Sequence, residues 1–243
     1  MWYREDLAFI HDVGFSDYAL KSAPGILEIL KQNNIKEGLV VDLGCGSGLS
    51  AQEFVKANYQ VFGVDISESM IDIARTRVRG AKFQLGSLFQ IEIPSCQAVT
   101  SIGECLNYLF EPNSDRKMLV HLFRRIYKAL TPGGVFIFDI AEPGQVIQEN
   151  PTKNFTEGKD WIVLVEKEED REQRILTRRI ITFRKVGEHY RRDDEVHRQQ
   201  LYETIEVIEQ LHRVGFEVQT MTNYGEYNLP PKHAAFIAKK SNC

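Results

Sequence analysis

Three glycines, at positions 44, 46 and 48, stand between an apolar run at 39–43 and a helical pattern that starts near Leu49. Glycine has no side chain, so the backbone bends sharply there and a ligand can lie close against it. The helix that follows aims unpaired N–H groups and the positive end of its dipole at the same spot. Downstream, Val61-Phe62-Gly63-Val64-Asp65 is a second apolar run that ends in a carboxylate, a group suited to a ribose diol. Strand, glycine turn, helix and acid-tipped strand constrain the chain to a parallel βαβ unit. They predict a pocket for a nucleoside-like cofactor at the carboxyl ends of the strands.

Glycine spacing separates the two cofactor classes that use such a pocket. Dinucleotide binders carry G-x-G-x-x-G, whose third glycine lets the helix pack closely and frees N–H groups for a pyrophosphate. Here the spacing is G-x-G-x-G, and Leu49 stands where that third glycine belongs. On these residues the chain resembles the class I S-adenosylmethionine-dependent methyltransferases, whose first motif reads like Val41-Asp42-Leu43-Gly44-Cys45-Gly46-Ser47-Gly48. A nicotinamide oxidoreductase is the enzymatic rival; Leu49 and the lack of a Ser/Tyr/Lys-type hydride site speak against it. A glycine turn with no ligand leaves Asp42 and Asp65, both at strand ends, unexplained.

The 243 residues suit one α/β domain, 1–243, with an insertion. A net charge of −4 argues against a general nucleic-acid binder, which shows a basic excess. The opening Met1-Trp2-Tyr3-Arg4-Glu5-Asp6 carries acids where a secretory signal needs cations. No apolar run reaches the roughly 20 residues that span a bilayer, so neither a membrane nor nucleic acid is an expected partner and the cytoplasm is the expected location. Cysteines 45, 96, 105 and 243 form no C-x-x-C pair and have no spaced histidine, which predicts neither metal site nor disulfide. Cys45 is read as a small residue that fits a crowded turn.

Strand and helix signals alternate along the first half. Strands are expected at 39–43, 60–64, 81–85, 98–102 and 135–140, with helices at 50–57, after Ser67, and from Ser114 to Leu130. Met118, Leu119, Leu122, Phe123, Ile126 and Leu130 give that last helix one apolar face, and Thr131-Pro132-Gly133-Gly134 ends it. Upstream, Ser16 is expected to cap a helix carrying Tyr18, Ile26, Ile29 and Leu30, interrupted at Pro24-Gly25. The alternation implies right-handed crossovers and a parallel sheet covered on both faces. It then breaks: 161–167 and 175–186 read as an antiparallel pair with a charged turn at 168–174, and a third strand is expected at 190–197. A helix at 202–214 stopped by Gly215, and strands at 216–222 and 234–238, close the chain.

The resemblance covers nearly the whole chain. It implies a doubly wound, mostly parallel seven-stranded Rossmann-like sheet, with residues 151–200 as an antiparallel β insertion, lid or platform, before the last helix. It also implies S-adenosylmethionine as cofactor and S-adenosylhomocysteine as product. Asp42 would act on the donor's ammonium, the loop Gly44, Cys45, Gly46 and Gly48 on its methionine part, and Asp65 on both ribose hydroxyls. Ile66 and Met70 would pack on adenine, with Gly86, Ser87 and Leu88 at its edge and Ile102 and Gly103 at the end of the fourth strand. Two positions depart from the family pattern: Ser87, where an acid usually meets the adenine amino group, and Gln97, where many relatives begin the fourth strand with Asp. These departures leave room for a non-catalytic cofactor-binding regulatory or scaffold protein.

After the fourth strand, Gly103-Glu104-Cys105-Leu106-Asn107-Tyr108-Leu109 lacks the N-P-P-Y and D-P-P-Y motifs of the nucleic-acid amino methylases. The segment looks more like the small-molecule enzymes, which implies transfer to oxygen or nitrogen of a small acceptor. Methyl transfer needs alignment and exclusion of water more than acid–base help. Glu104, His11 and Tyr108 are the candidates for orienting an acceptor or taking a proton. His11-Asp12 stands where related enzymes often carry a Tyr-Asp pair that closes over the cofactor; His197 and His233 are weaker candidates. The insertion's Trp161, Arg178, Arg179, Phe183, Arg184, Tyr190 and Arg191 read either as a wall for an anionic acceptor or as a solvated face interleaved with acids. Its strand edges also offer a surface on which two copies would pair as a homodimer.

Overall fold

The computed structural model describes residues 2–110, 116–146 and 151–242. Two helices, α1 (Glu5–Gly14) and α2 (Asp17–Gln32), precede an alternation of β1 (Leu39–Leu43), α3 (Leu49–Lys56), β2 (Gln60–Asp65), α4 (Glu68–Arg77), β3 (Lys82–Leu85) and β4 (Cys96–Ser101). After α5 (Arg116–Ala129) and β5 (Leu130–Ala141) come four consecutive strands, β6 (Thr152–Gly158), β7 (Trp161–Asp170), β8 (Ile175–Val186) and β9 (His189–Gln200). The chain closes with α6 (Thr204–Val214), β10 (Phe216–Met221), the short hairpin β11 (Asn223–Tyr224) and β12 (Tyr227–Asn228), and β13 (His233–Lys240).

Seven strands form one sheet in the order β10-β13-β5-β4-β1-β2-β3. The five from β3 to β5 pair in parallel, and β13 runs antiparallel to both of its neighbours. Alternation along each strand feeds two cores. Val41, Val99, Phe136 and Phe138 face α5 and α6, where Leu122, Phe123, Ile126 and Leu211 are buried. Val40, Ala98, Val135 and Ile137 face α2 and α3, where Ile26, Leu30 and Phe54 are buried. A sheet covered on both faces needs apolar residues at every position, which is why its strands read as continuous apolar runs.

Strands β6 to β9 make a second, wholly antiparallel sheet. Helix α1 lies on its inner face: Leu7 and Ile10 are buried against Trp161, Val163 and Ile180. Burying each of those helix residues contributes about 1.5–3 kcal/mol.

The expected seven-stranded sheet is present, and several details differ. Pro24 sits inside α2 rather than interrupting it: one helical bond is given up, and burial of Ala23, Ile26, Ile29 and Leu30 keeps the helix continuous. Ser16 precedes that helix without a side-chain capping bond. Ser67 does cap α4, its Oγ accepting from the Met70 amide at 3.1 Å. Helix α1 was not expected, and neither was β6, every residue of which is exposed and so carries no alternation to read. The turn read at 168–174 is shorter, because β7 reaches Asp170 and β8 begins at Ile175. Ser114, expected to open α5, lies outside the described residues.

Candidate active site

The turn after β1 is built on left-handed backbone: φ is +79° at Gly44 and +51° at Gly46. A Cβ at Gly44 would stand 2.5 Å from Cys105 Sγ, whereas one at Gly46 would meet nothing within 4 Å. The open space beside Gly46 belongs to a cavity of about 830 Å³ at the carboxyl ends of β1, β2 and β4. Gly44, Cys45, Gly46, Ser47, Leu49 and Ser50 wall one side of it, and Asp42 and Asp65 lie along the same wall. Ile66, Met70, Gly86, Ser87, Leu88, Ile102 and Gly103, all expected at the site, are also in its lining. Gly48 is not. Its α-carbon faces Ala74 of α4, where a Cβ would stand 3.1 Å from the alanine methyl, so the missing side chain lets α4 pack against the loop.

Asp65 holds the loop as well as lining the cavity. One carboxylate oxygen accepts from the Gly46 amide and the other from the Ser67 amide, both at 2.8 Å. Each oxygen retains a lone pair for a further donor. Burial raises its carboxyl pKa against those amide bonds. Asp42, 3% exposed, accepts from the Thr100 hydroxyl at 2.7 Å, and burial pushes its pKa up to about 6. Ser87 Oγ accepts from the Phe89 amide at 3.1 Å, which turns the chain after β3. Burial pushes the Cys45 thiol well up, so it is no ready nucleophile. Gln97 lies elsewhere: its side-chain oxygen accepts from the Leu39 amide at 2.7 Å, at the start of β1.

A second wall comes from the loop after β4. Glu104 takes φ +54°, a strained value for a residue with a side chain. Asp139 of β5 holds it there. Fully buried, Asp139 accepts from the Gly103 amide at 3.0 Å, the Glu104 amide at 2.5 Å and the Tyr224 hydroxyl at 3.0 Å, and burial raises its pKa to about 6. Glu104 then meets Arg178 of β8 at 2.6 Å and His233 Nε2 at 2.8 Å. Burial works to raise its carboxyl pKa, but the Arg178 charge and the His233 hydrogen bond outweigh it and hold the group well below the carboxylate range. A carboxylate so held orients a partner better than it takes a proton. Glu104 in turn raises the pKa of His233, against burial.

The third wall is α1 with the residues before it. The Tyr3 and Tyr108 hydroxyls lie 2.8 Å apart, with Arg178 Nη1 at 3.5 Å from the latter; burial pushes Tyr108 up to about 12. His11 lines the cavity, and burial lowers its pKa, which keeps a neutral imidazole there at pH 7. Its neighbour Asp12 does not line the cavity. It forms a two-pronged pair with Arg77 of α4, both bonds 2.8 Å, and Arg77 also donates to the Ser47 carbonyl at 2.5 Å. The helix is thereby tied to the glycine loop. His197 is fully buried, with Nε2 2.8 Å from Glu195 and the rings of Trp2, Tyr3, Tyr108 and Phe110 around it.

Among the insertion's basic and aromatic residues, Trp161 is buried against α1 and Arg178 lines the cavity. Arg184 and Arg191 pair with Asp6 of α1, and Arg179 is exposed beside Glu166. Sequence reading missed Tyr3, Asp139, Arg178 as the partner of Glu104, and Lys167 on the cavity wall. Asp139 had a signal, a lone acid inside an apolar strand as in 39–43. Among the described residues no cluster of His, Cys, Asp or Glu has metal-site geometry, and no helix is long and apolar enough to cross a membrane.

Residues 40–134 match the model of the methyltransferase domain family. A Geobacillus sp. (strain WCH70) protein, itself classed as a methyltransferase by inference, is 28% identical over 83% of this chain and 84% of its own length. The bovine 18S rRNA (guanine-N7)-methyltransferase is 27% identical over 54% of this chain and 49% of its own. The fold matches the crystal structure of an S-adenosylmethionine-dependent methyltransferase from Clostridium acetobutylicum, with a TM-score of 0.83 at 20% identity over 98% of this chain and 99% of that one. It also matches the sugar N-methyltransferase KedS8 of Streptoalloteichus sp., with a TM-score of 0.77 at 16% identity over 96% and 92%. With a glycine cradle opening on a cavity at its strand ends, the chain carries a match to the methyltransferase domain family over residues 40–134 and is similar in fold, over nearly its whole length, to S-adenosylmethionine-dependent methyltransferases.

Proposed function

We propose that the chain is one methyltransferase domain that transfers a methyl group to oxygen or nitrogen of a small molecule, with the 151–200 sheet as its acceptor wall. The observation that carries this reading is the continuity of the cavity: the glycine cradle and the inner faces of α1, β7 and β8 bound the same space. Such a chamber, near the upper end of the usual range for small-ligand pockets, admits a donor and a modest acceptor side by side. The net charge of −4 fits a small acceptor better than RNA.

The residues fit the donor. The missing side chain at Gly46 leaves room for a ligand against the backbone, and Asp65 keeps lone pairs for ribose hydroxyls. Ile66, Met70 and Leu88 would flank adenine with Ser87 at its edge, and Asp42 would favour the donor's ammonium. S-adenosylmethionine supplies, when bound, a methyl group already activated by a sulfonium. The chain's own residues would then align the acceptor and keep water out. Glu104, fixed by Arg178 and His233, orients an acceptor N–H or O–H. His11, neutral at pH 7, offers the lone pair that a protonated acceptor needs, and Tyr108 shapes the floor.

The test is release of S-adenosylhomocysteine from S-adenosylmethionine over a panel of small amines, hydroxy acids and sugars, with an 18S rRNA fragment as a parallel substrate. Turnover of a small acceptor is the expected result. Methylation of the RNA alone would overturn the reading, and tight donor binding without turnover of any substrate would favour a regulatory protein.

A further inference from the structure

Strand β7 presents a graded row to the cavity. Alternate residues of a strand share a face and stand about 7 Å apart. Val163, Val165 and Lys167 all line the cavity; the row starts beneath α1, where Val163 packs with Leu7 and Ile10, and ends on an ammonium about 13 Å away. On the neighbouring strand Ile180 and Arg178 repeat the same order, with Arg178 directly opposite Lys167.

The two cations differ in their partners. Arg178 is neutralised by Glu104 at 2.6 Å. The Lys167 ammonium makes no hydrogen bond or ion pair among the described residues, whereas its sheet neighbours Lys153, Arg179 and Arg184 are each paired with an acid. Burial, and then the charge of Arg178, lowers its pKa. Glu104 offsets only part of this, so an unpaired, part-buried cation beside a paired one leaves this end of the acceptor wall with an excess of positive charge, which an anion facing it would offset.

We propose that the acceptor carries an anionic group, a carboxylate or a phosphate monoester, held by Lys167 at the Glu104 end of the chamber, with its apolar portion along Val165, Val163 and Ile180. The inference deepens the small-acceptor reading above and rests on it. Lys167 is a specificity residue here: it binds the acceptor and takes no part in the transfer itself.

Two probes stand in for the acceptor: acetate for a carboxylate and methyl phosphate for a phosphate. The protein, labelled with 13C at lysine and saturated with S-adenosylhomocysteine, is titrated with each in turn by NMR, and the Lys167 signal is identified by its loss in Lys167→Met. The expected result is a saturable shift of that signal with one of the two anions, accompanied by a rise of the Lys167 pKa of about half a unit or more. The anion that acts names the group. A Lys167 signal and pKa unmoved by both anions would overturn the proposal. On any acceptor found by the panel above, Lys167→Met should raise KM about tenfold or more with kcat largely kept, and Lys167→Arg should restore most of it. Equal use of an acceptor and its neutral ester or amide would also overturn it. Methylation of RNA alone would end the parent reading, while the NMR titration would still decide whether Lys167 holds an anion.

Discussion

Glu104 and Arg178 face each other at 2.6 Å across the junction between the cofactor sheet and the insertion sheet, and both side chains are more than four-fifths buried. Removing one member strands the other in a poorly hydrated place. Glu104→Gln is expected to cost on the order of 3 kcal/mol in urea unfolding, the scale for a broken buried pair. Adding Arg178→Met to it should recover part of that loss, giving a coupling of about 1 kcal/mol or more in the double-mutant cycle. Additive losses would show that the pair contributes nothing beyond its separate contacts.

Asp42 links stability to pH. Its pKa in the native state is about 6, against an ordinary value near 3.9. The native state therefore holds the proton more tightly than the unfolded chain, and the stability this contributes is complete below about pH 4 and lost as pH rises through about 6. A shift of roughly two units amounts to about 3 kcal/mol. Compared with Asp42→Asn, the wild-type protein should gain up to about that much as pH falls from 7 to 4. A pH-independent difference between the two in denaturant titrations would contradict it.

Donor affinity should report on the glycine loop. Asp65→Ala is expected to weaken S-adenosylmethionine binding by a factor of ten or more, about 1.5–3 kcal/mol for a lost hydrogen bond to a charged group, measured by calorimetry. An unchanged Kd would place the ribose elsewhere. Gly46→Ala should also weaken binding, because the added methyl enters open cavity space. Its left-handed backbone adds about 1–2 kcal/mol of destabilisation.

Asp6 anchors α1 to the insertion through Arg184 and Arg191. Arg191 is 43% exposed, so solvent weakens its share. Asp6→Ala is expected to speed amide exchange in α1 about tenfold while exchange in β1 stays unchanged. Equal acceleration in both would mean global destabilisation rather than a loosened helix.

The glycine turn, the acid at the end of β2 and the alternation of strands and helices through β5 were legible because each rests on local chemistry: positive φ, a short continuous apolar run for a strand buried on both faces, a helix stripe. The contacts that complete the candidate site are of another kind. Glu104, Arg178 and His233 come from three distant stretches, and nothing near any one of them names the others. Helix α1 is defined by Asp6 and Asp12 pairing with arginines on other elements rather than by a cap of its own, since Arg4 at its start makes no side-chain capping bond. Strand β6 pairs with β7 along its whole length without burying a residue. Gly48 carries a packing role that the motif alone does not reveal, since its missing side chain makes room for Ala74 of α4.

The first helix is fastened at both ends of its length, to the glycine turn through Asp12, Arg77 and Ser47, and to the four-stranded sheet through Asp6. A single ten-residue helix is thus bonded both to the glycine loop and to the inserted sheet. If the inserted sheet is the acceptor wall proposed above, a substitution that remodels it would also alter how α1 sits against the loop.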